Sequence, residues 1–307
     1  MELSIARAGM ISGIAAVIAM TSAQPALADD DYPNELAEGD NVTKLEPISP
    51  WNIDFAADKC RLARLFGTGG DDEERHFLFF EQVAPQSGFA MTMAGPEIAR
   101  YRNGSRVEMG MEGNEPMERL ETLGRRGTVA SIGPAIVIAT RSLGRAPGAV
   151  APYSAGIDLD EAANVDRIVL RRSRRVLSIE TGNMMAPFQA LNACTFDLLE
   201  SWGLDPEQHR RYTPAQWQNM ESIARRIQAN YPRRALNSGE NGNFRMRVII
   251  ETDGSVSDCF MGQSTETRRL ESPACDEMSD AVFTPAKDSA GNPIRSFYAT
   301  SISYRAN

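Results

Sequence analysis

In the last third of the chain, apolar side chains recur at every second position before giving way to helical spacing. Phe244, Met246, Val248 and Ile250 take every second place, with Arg245, Arg247, Ile249 and Glu251 between them. That period of two predicts a strand with one buried face. Asp253-Gly254 supplies the left-handed turn of a tight hairpin, and Val256 to Ser264 returns as the second strand. Ser272-Pro273 predicts a helix start, with a capping hydroxyl ahead of a proline at the first helical position. Cys275, Met278 and Val282 then share one helical face, and Pro285 ends the helix. Gly291-Asn292-Pro293 turns the chain into a last strand, Arg295 to Tyr304. A further helix is predicted ahead of this unit, over Pro214 to Asn230, ending at Tyr231-Pro232.

The middle of the chain reads differently. His76 to Val83, Gly88 to Ala94, Ser105 to Met111 and Thr128 to Thr140 predict short strands separated by Gly, Pro and Asn, and Val165 to Ile179 adds one or two more. Met184 to Trp202 changes period: Phe188, Leu191, Ala193, Phe196, Leu198 and Leu199 recur at helical intervals, and Gly203 closes the run as a C-terminal cap. Leu143 to Gly156 is rich in Gly, Ala and Pro and reads as a surface loop or hinge. The fold class is therefore α+β: a β-rich N-terminal domain with one packed helix, then a small domain of β-hairpin, helix and strand. The boundaries expected are 29–48 for a tail, 49–205 for the first domain and 206–307 for the second with its preceding helix.

Met1 to Ala28 has the form of a cleaved secretory signal, with Arg7 as its lone positive charge and Ala26-Leu27-Ala28 as a small-x-small site. Its apolar core, Ala8 to Met20, is shorter than the roughly 20 residues needed to span a bilayer. Export gives weight to the four cysteines, because an oxidising compartment favours pairs, of which three connectivities are open. A metal site is not expected: there is no Cys-x-x-Cys spacing and there are only two histidines.

The net charge of −9 is concentrated ahead of the C-terminal unit, which from Arg225 onward carries 11 basic and 10 acidic residues. Asp29 to Glu46 holds seven acidic residues against Lys44, too little apolar surface to fold, and reads as a flexible tail. An acidic chain of this kind is a poor candidate for nucleic acid or anionic lipid. Arg171-Arg172-Ser173-Arg174-Arg175 is the most basic run. On a single strand its arginines would fall on both faces, so it reads as a solvated edge or hairpin. Gly69 to Glu74 lacks the ligand spacing of a calcium loop and reads as an exposed turn. His76 and His209 stand in no nucleophile elbow, zinc helix or Cys–His arrangement. No catalytic residue, metal or cofactor is expected, and the chain is read as non-enzymatic.

Asn243-Phe-Arg-Met-Arg-Val-Ile-Ile-Glu-Thr252, Asp253-Gly254-Ser-Val256, Phe283-Thr-Pro285-Ala286 and Gly291-Asn-Pro293, in that order and at those spacings, resemble the C-terminal domain of the TonB family. The resemblance spans about a quarter of the chain. It implies a periplasmic setting, a cysteine pair Cys259–Cys275, and with it Cys60–Cys194. In the chain-entropy model the first closure stabilises by roughly 3 kcal/mol and the longer one by somewhat more. It also implies that an extended segment of an outer-membrane receptor or other envelope protein adds as a strand to the sheet edge. The candidate edge comprises Ser296, Phe297, Tyr298, Ala299, Thr300, Ser301, Ile302, Ser303 and Tyr304. Full transducers of the family also carry a retained membrane helix with a histidine and a long Pro-rich spacer. Met1 to Ala28 has no histidine, and Asp29 to Pro50 has only three prolines. The family's usual Ser-Ser-Gly after the second strand is Ser264-Thr265-Glu266 here. The expected function is a periplasmic protein-interaction module that reaches membranes only through its partners. The alternatives are an atypical membrane-anchored energy transducer for outer-membrane transport, or a secreted enzyme with its site in the N-terminal domain.

Overall fold

The protein is represented by a computed structural model that describes residues 39–56, 58–69, 74–102, 106–111, 118–119, 124–129, 131–143, 156–263 and 268–304. The expected signal, the acidic turn at 70–73 and most of the Leu143 to Gly156 loop lie outside them. The chain is α+β, and the described residues belong to one compact unit with two cores.

The N-terminal lobe holds strands β1 (Asn41–Pro47), β2 (Asn52–Ala56), β3 (Lys59–Gly67), β4 (His76–Gln82), β5 (Gly88–Ala94), β6 (Glu108–Met111), β7 (Glu118–Arg119), β8 (Gly124–Val129), β9 (Gly133–Ser142), β10 (Arg167–Arg172) and β11 (Arg175–Glu180). They are ordered β7-β6-β10-β11-β1-β3-β4-β5-β9-β8, with β2 also on β3. β1 is the joint of this sheet. Asn41 to Leu45 run parallel to Arg175–Ile179, while Glu46 and Pro47 pair antiparallel with Gly67 and Phe66.

This corrects the reading of 29–48 as a flexible tail: its last third is a strand. Composition misleads there because one apolar side chain does the anchoring. Leu45 is fully buried in the core, while its charged neighbours stay at the surface. β2 and β3 also lie outside the strands that the pattern predicts, although Cys60, Leu62 and Phe66 recur on one buried face. Thr128 to Thr140 is a hairpin of β8 and β9, closed through Ser131 and Gly133, both at positive φ.

Helices α1 (Pro96–Ala99), α2 (Leu159–Ala162) and α3 (Met185–Ser201) complete the lobe. α3 ends as expected, with Gly203 at φ 70° beyond it. It lies on the sheet through Phe188, whose ring sits 4.9 Å from Phe80 and 5.3 Å from Phe89. Burying a side chain of that size stabilises by about 1.5–3 kcal/mol. Cys194 of α3 is bonded to Cys60 of β3, so the helix is covalently fixed to the sheet it covers.

The C-terminal lobe contains β12 (Gln216–Trp217), α4 (Met220–Ala229), α5 (Arg233–Asn237), β13 (Gly242–Ile250), β14 (Val256–Gln263), α6 (Ala274–Glu277), β15 (Phe283–Thr284), β16 (Ala286–Lys287), β17 (Pro293–Ile294) and β18 (Ser296–Tyr304). β13 is central, with β14 and β18 antiparallel on either side. Its hairpin to β14 turns at Gly254, φ 87°, where a Cβ would meet the Phe283 carbonyl oxygen at 2.0 Å. Only glycine fits, on both counts. Phe244, Met246, Val248 and Ile250 face Ile223 and Ile227 of α4 and the buried Met278. Cys259–Cys275 ties β14 to α6.

Two helices come out shorter than predicted. Pro214 to Trp217 is extended because Trp217 stacks on Phe283 and β12 pairs with β15. Asn219 then holds the junction, its Oδ1 accepting from Trp217 Nε1 and Val282 N. The second helix is one α turn followed by a 3-10 turn, Met278–Asp280. Val282 leaves the helical face for the same strand pairing and is exposed.

Candidate functional site

β18 is nine residues long and its only strand neighbour among the described residues is β13. Its register runs without a shift from Gly242↔Tyr304 to Ile250↔Ser296. The strand contains no charge and no proline. The opposite edge, β14, is different: its pairing slips beside Ile249 and Ile250, it carries Asp258, and it is bonded to α6 through Cys259. Bulges and charges are the usual guards against unwanted pairing, and an unguarded edge is a template for another strand.

Both ends of β18 are held. Just before it, Arg295 donates Nε to Glu251 Oε1 at 2.8 Å and Nη1 to the Trp202 and Gly203 carbonyls at 3.2 Å. Ser296 is fully buried, and Phe297 sits against Trp202, His209 and Tyr212, with ring centroids 6.0, 5.8 and 6.5 Å away. At the far end the Tyr304 hydroxyl shares a 2.8 Å hydrogen bond with Ser272 Oγ, and its ring packs edge-on to Tyr231 and Phe244. Between the clamps, Tyr298 to Ile302 are partly exposed and Ser303 is exposed. Tyr298 faces the lobe core, against Trp217 and Phe283. Thus the nine candidate residues are not equivalent: Ser296, Phe297 and Tyr304 anchor the strand, and the stretch from Tyr298 to Ser303 is the part open to solvent.

Residues 227–306 match the family model of the Gram-negative bacterial TonB protein C-terminal. No curated protein was found to be similar to the chain. The match takes in the end of α4 and everything to β18, so the TonB-type unit is the three-stranded sheet with its helices, and the N-terminal lobe stands outside it.

The sequence gives no sign that the TonB-type sheet is covered on its second face. Arg245 and Arg247, placed on the polar side by the alternation, are buried, at 3% and 5% exposure. Arg247 lies 3.8 Å from the Trp202 ring centroid and 4.9 Å from that of Phe260, and reaches the Asp58 carbonyl at the β2–β3 turn. Arg245 lies near Glu81 of β4. Burial pulls its guanidinium down to about 10, opposed by the Glu81 charge, and it stays protonated at neutral pH. Burial pushes Glu81 up, but Lys59 at 3.2 Å, Arg61 at 2.8 Å and Arg245 outweigh it, and its carboxyl sits below the usual range. Ile249 and Phe297 complete this seam against Leu199, Leu204 and Ala84.

Among the described residues, neither histidine is hydrogen-bonded to a carboxylate, hydroxyl or thiol side chain. His76 Nε2 accepts from the Glu97 amide at 3.0 Å, which leaves its Nδ1 proton for the Glu74 carbonyl at 2.9 Å. His209 donates Nδ1 to the Asp205 carbonyl at 2.7 Å. Both pairs expected for the cysteines are present, with no unpaired thiol. Among the described residues no group of carboxylates, histidines and cysteines is placed to hold a metal.

Proposed function

We propose that the protein is a periplasmic, non-enzymatic interaction protein whose TonB-type unit receives an extended segment of an outer-membrane receptor or another envelope protein as a fourth strand along β18. The observation that supports this most is the character of β18 itself: nine residues in unbroken register, uncharged, without a bulge, clamped at both ends and with β13 as its one strand neighbour among the described residues. Pre-fixing the ends removes ordering cost that a loose edge would carry on binding. The family of the matched unit supports the envelope setting and the class of partner.

Affinity in this mode comes from main-chain hydrogen bonds, so side-chain truncations in the partner matter less than its amides. The test is a titration of the full chain with an extended receptor peptide, followed by amide NMR shifts across Tyr298 to Ser303. N-methylation of alternate peptide residues should abolish binding when it blocks the amides facing β18, and spare it when it blocks the other set. Binding indifferent to both, or shifts confined to another surface, would refute strand addition here.

A further inference from the structure

The arginine run at 171–175 is divided by its hairpin rather than spread along one strand. Arg172 and Arg175 are register partners across β10 and β11, joined by the two-residue turn Ser173-Arg174. Register partners project to the same face. Arg171 goes to the other face, where it is buried and bonded to Asp40 at 2.8 Å. Arg172, partly buried, and Arg175, exposed, therefore stand side by side at the β10–β11 turn, with no carboxylate paired to either among the described residues. Two like charges directly opposite one another destabilise a sheet by up to about 1 kcal/mol. The turn that holds them there is itself unfavourable, with Ser173 at φ 55°, and it is pinned from outside by Asn41 N donating to the Arg174 carbonyl at 2.7 Å.

Beneath the pair lies Tyr101, buried at 2% exposure. The Arg172 guanidinium is 6.0 Å from its ring centroid, which limits where that arm can swing. Burial pushes the Tyr101 hydroxyl up to about 12, with the charges of Arg175, Arg172 and Arg100 opposing the shift and that of Glu97 adding to it, so it remains an O–H donor across the physiological range. Arg100 is already matched by Glu97 at 3.1 Å, so among the described residues the charge left without an ion-pair partner at this spot is that of Arg172 and Arg175. A guanidinium fork presents parallel N–H donors to two oxygens of a phosphate, and two such groups together match the roughly −1.5 to −2 charge of a phosphate monoester.

We propose that Arg172 and Arg175, over Tyr101, form a binding site for a phosphate group, either the headgroup of an anionic phospholipid or a soluble phosphate ester. The net charge of −9 opposes indiscriminate adsorption to anionic surfaces, so attraction at this turn has to come from the local pair.

The test uses the full chain and two probes: inorganic phosphate, followed by NMR of the arginine side chains, and vesicles of phosphatidylcholine with and without phosphatidylglycerol, followed by co-sedimentation. The R172Q/R175Q double variant should weaken binding of the responding probe about tenfold or more at moderate salt. R174Q, which removes one charge from the same turn but not from the register pair, should weaken it by no more than about fivefold. Without ligand the double variant should melt no lower than the parent, because a like-charge contact has been removed. A response to phosphate marks a soluble ester site, and a response only to phosphatidylglycerol vesicles marks a headgroup site. If neither probe binds, or if R174Q loses as much as the double variant, the assignment is wrong.

Discussion

The two faces of β13 carry the same alternation and serve opposite purposes. Phe244, Met246, Val248 and Ile250 build the core of their own lobe. Arg245, Arg247 and Ile249, one residue out of phase, build the seam with the other. A period of two states that a strand has two environments; it does not state that the polar one is water. Arginine suits the second environment because its guanidinium is weakly hydrated and flat, and can be buried against an indole face.

That contrast can be broken experimentally, and the expected effects fall in order. Phe297→Ala, on the seam face, should cost about 3–5 kcal/mol if the aromatic cluster with Trp202, His209 and Tyr212 is as closely packed as described. Urea denaturation measures it, and a loss below about 1 kcal/mol would mean that the seam is open in solution. Met246→Ala, on the core face, should cost about 2–5 kcal/mol. Hydrogen exchange separates the two cases: the core substitution should expose amides of the C-terminal lobe alone, whereas the seam substitution should loosen both sides. Arg247→Ala should cost about 1–2 kcal/mol through its lost stacking on Trp202, with Arg247→Lys recovering only part. On a solvent-facing arginine the same change would be nearly neutral.

The smallest effect is a pH dependence. Burial lowers the pKa of His76 and of His209 in the folded state, so on acidification the unfolded chain takes up these protons first. The contribution is complete above the unfolded value near 6.5 and declines as pH falls below it, by at most about 1.4 kcal/mol per pH unit for each group. His209→Gln should flatten the melting temperature between pH 7 and 5 relative to the parent.

How much of this was legible in the sequence follows from the same contrast. The hairpin, its Gly254 turn, the last strand and α3 with Gly203 beyond it are local matters of period and turn chemistry, and they are found where the residues place them. β1 was hidden because its hold rests on a single leucine inside an acidic stretch. α4 and α6 were overdrawn because Trp217, Phe283 and Asn219 meet across more than sixty residues of chain, a contact no local window contains. At the candidate edge, the nine residues of β18 could be named in advance. Their division into anchors and open stretch could not, since Trp202, His209 and Ser272 come from elsewhere.

The placement of the two disulfides sets how the molecule would come apart under a protease. Cys60–Cys194 closes a loop within the first lobe, and Cys259–Cys275 closes one within the second. A single cut between 61 and 193 would therefore leave one covalent molecule until the bonds were reduced. A cut between 195 and 258 would leave two chains with no covalent link, held to one another by non-covalent packing alone.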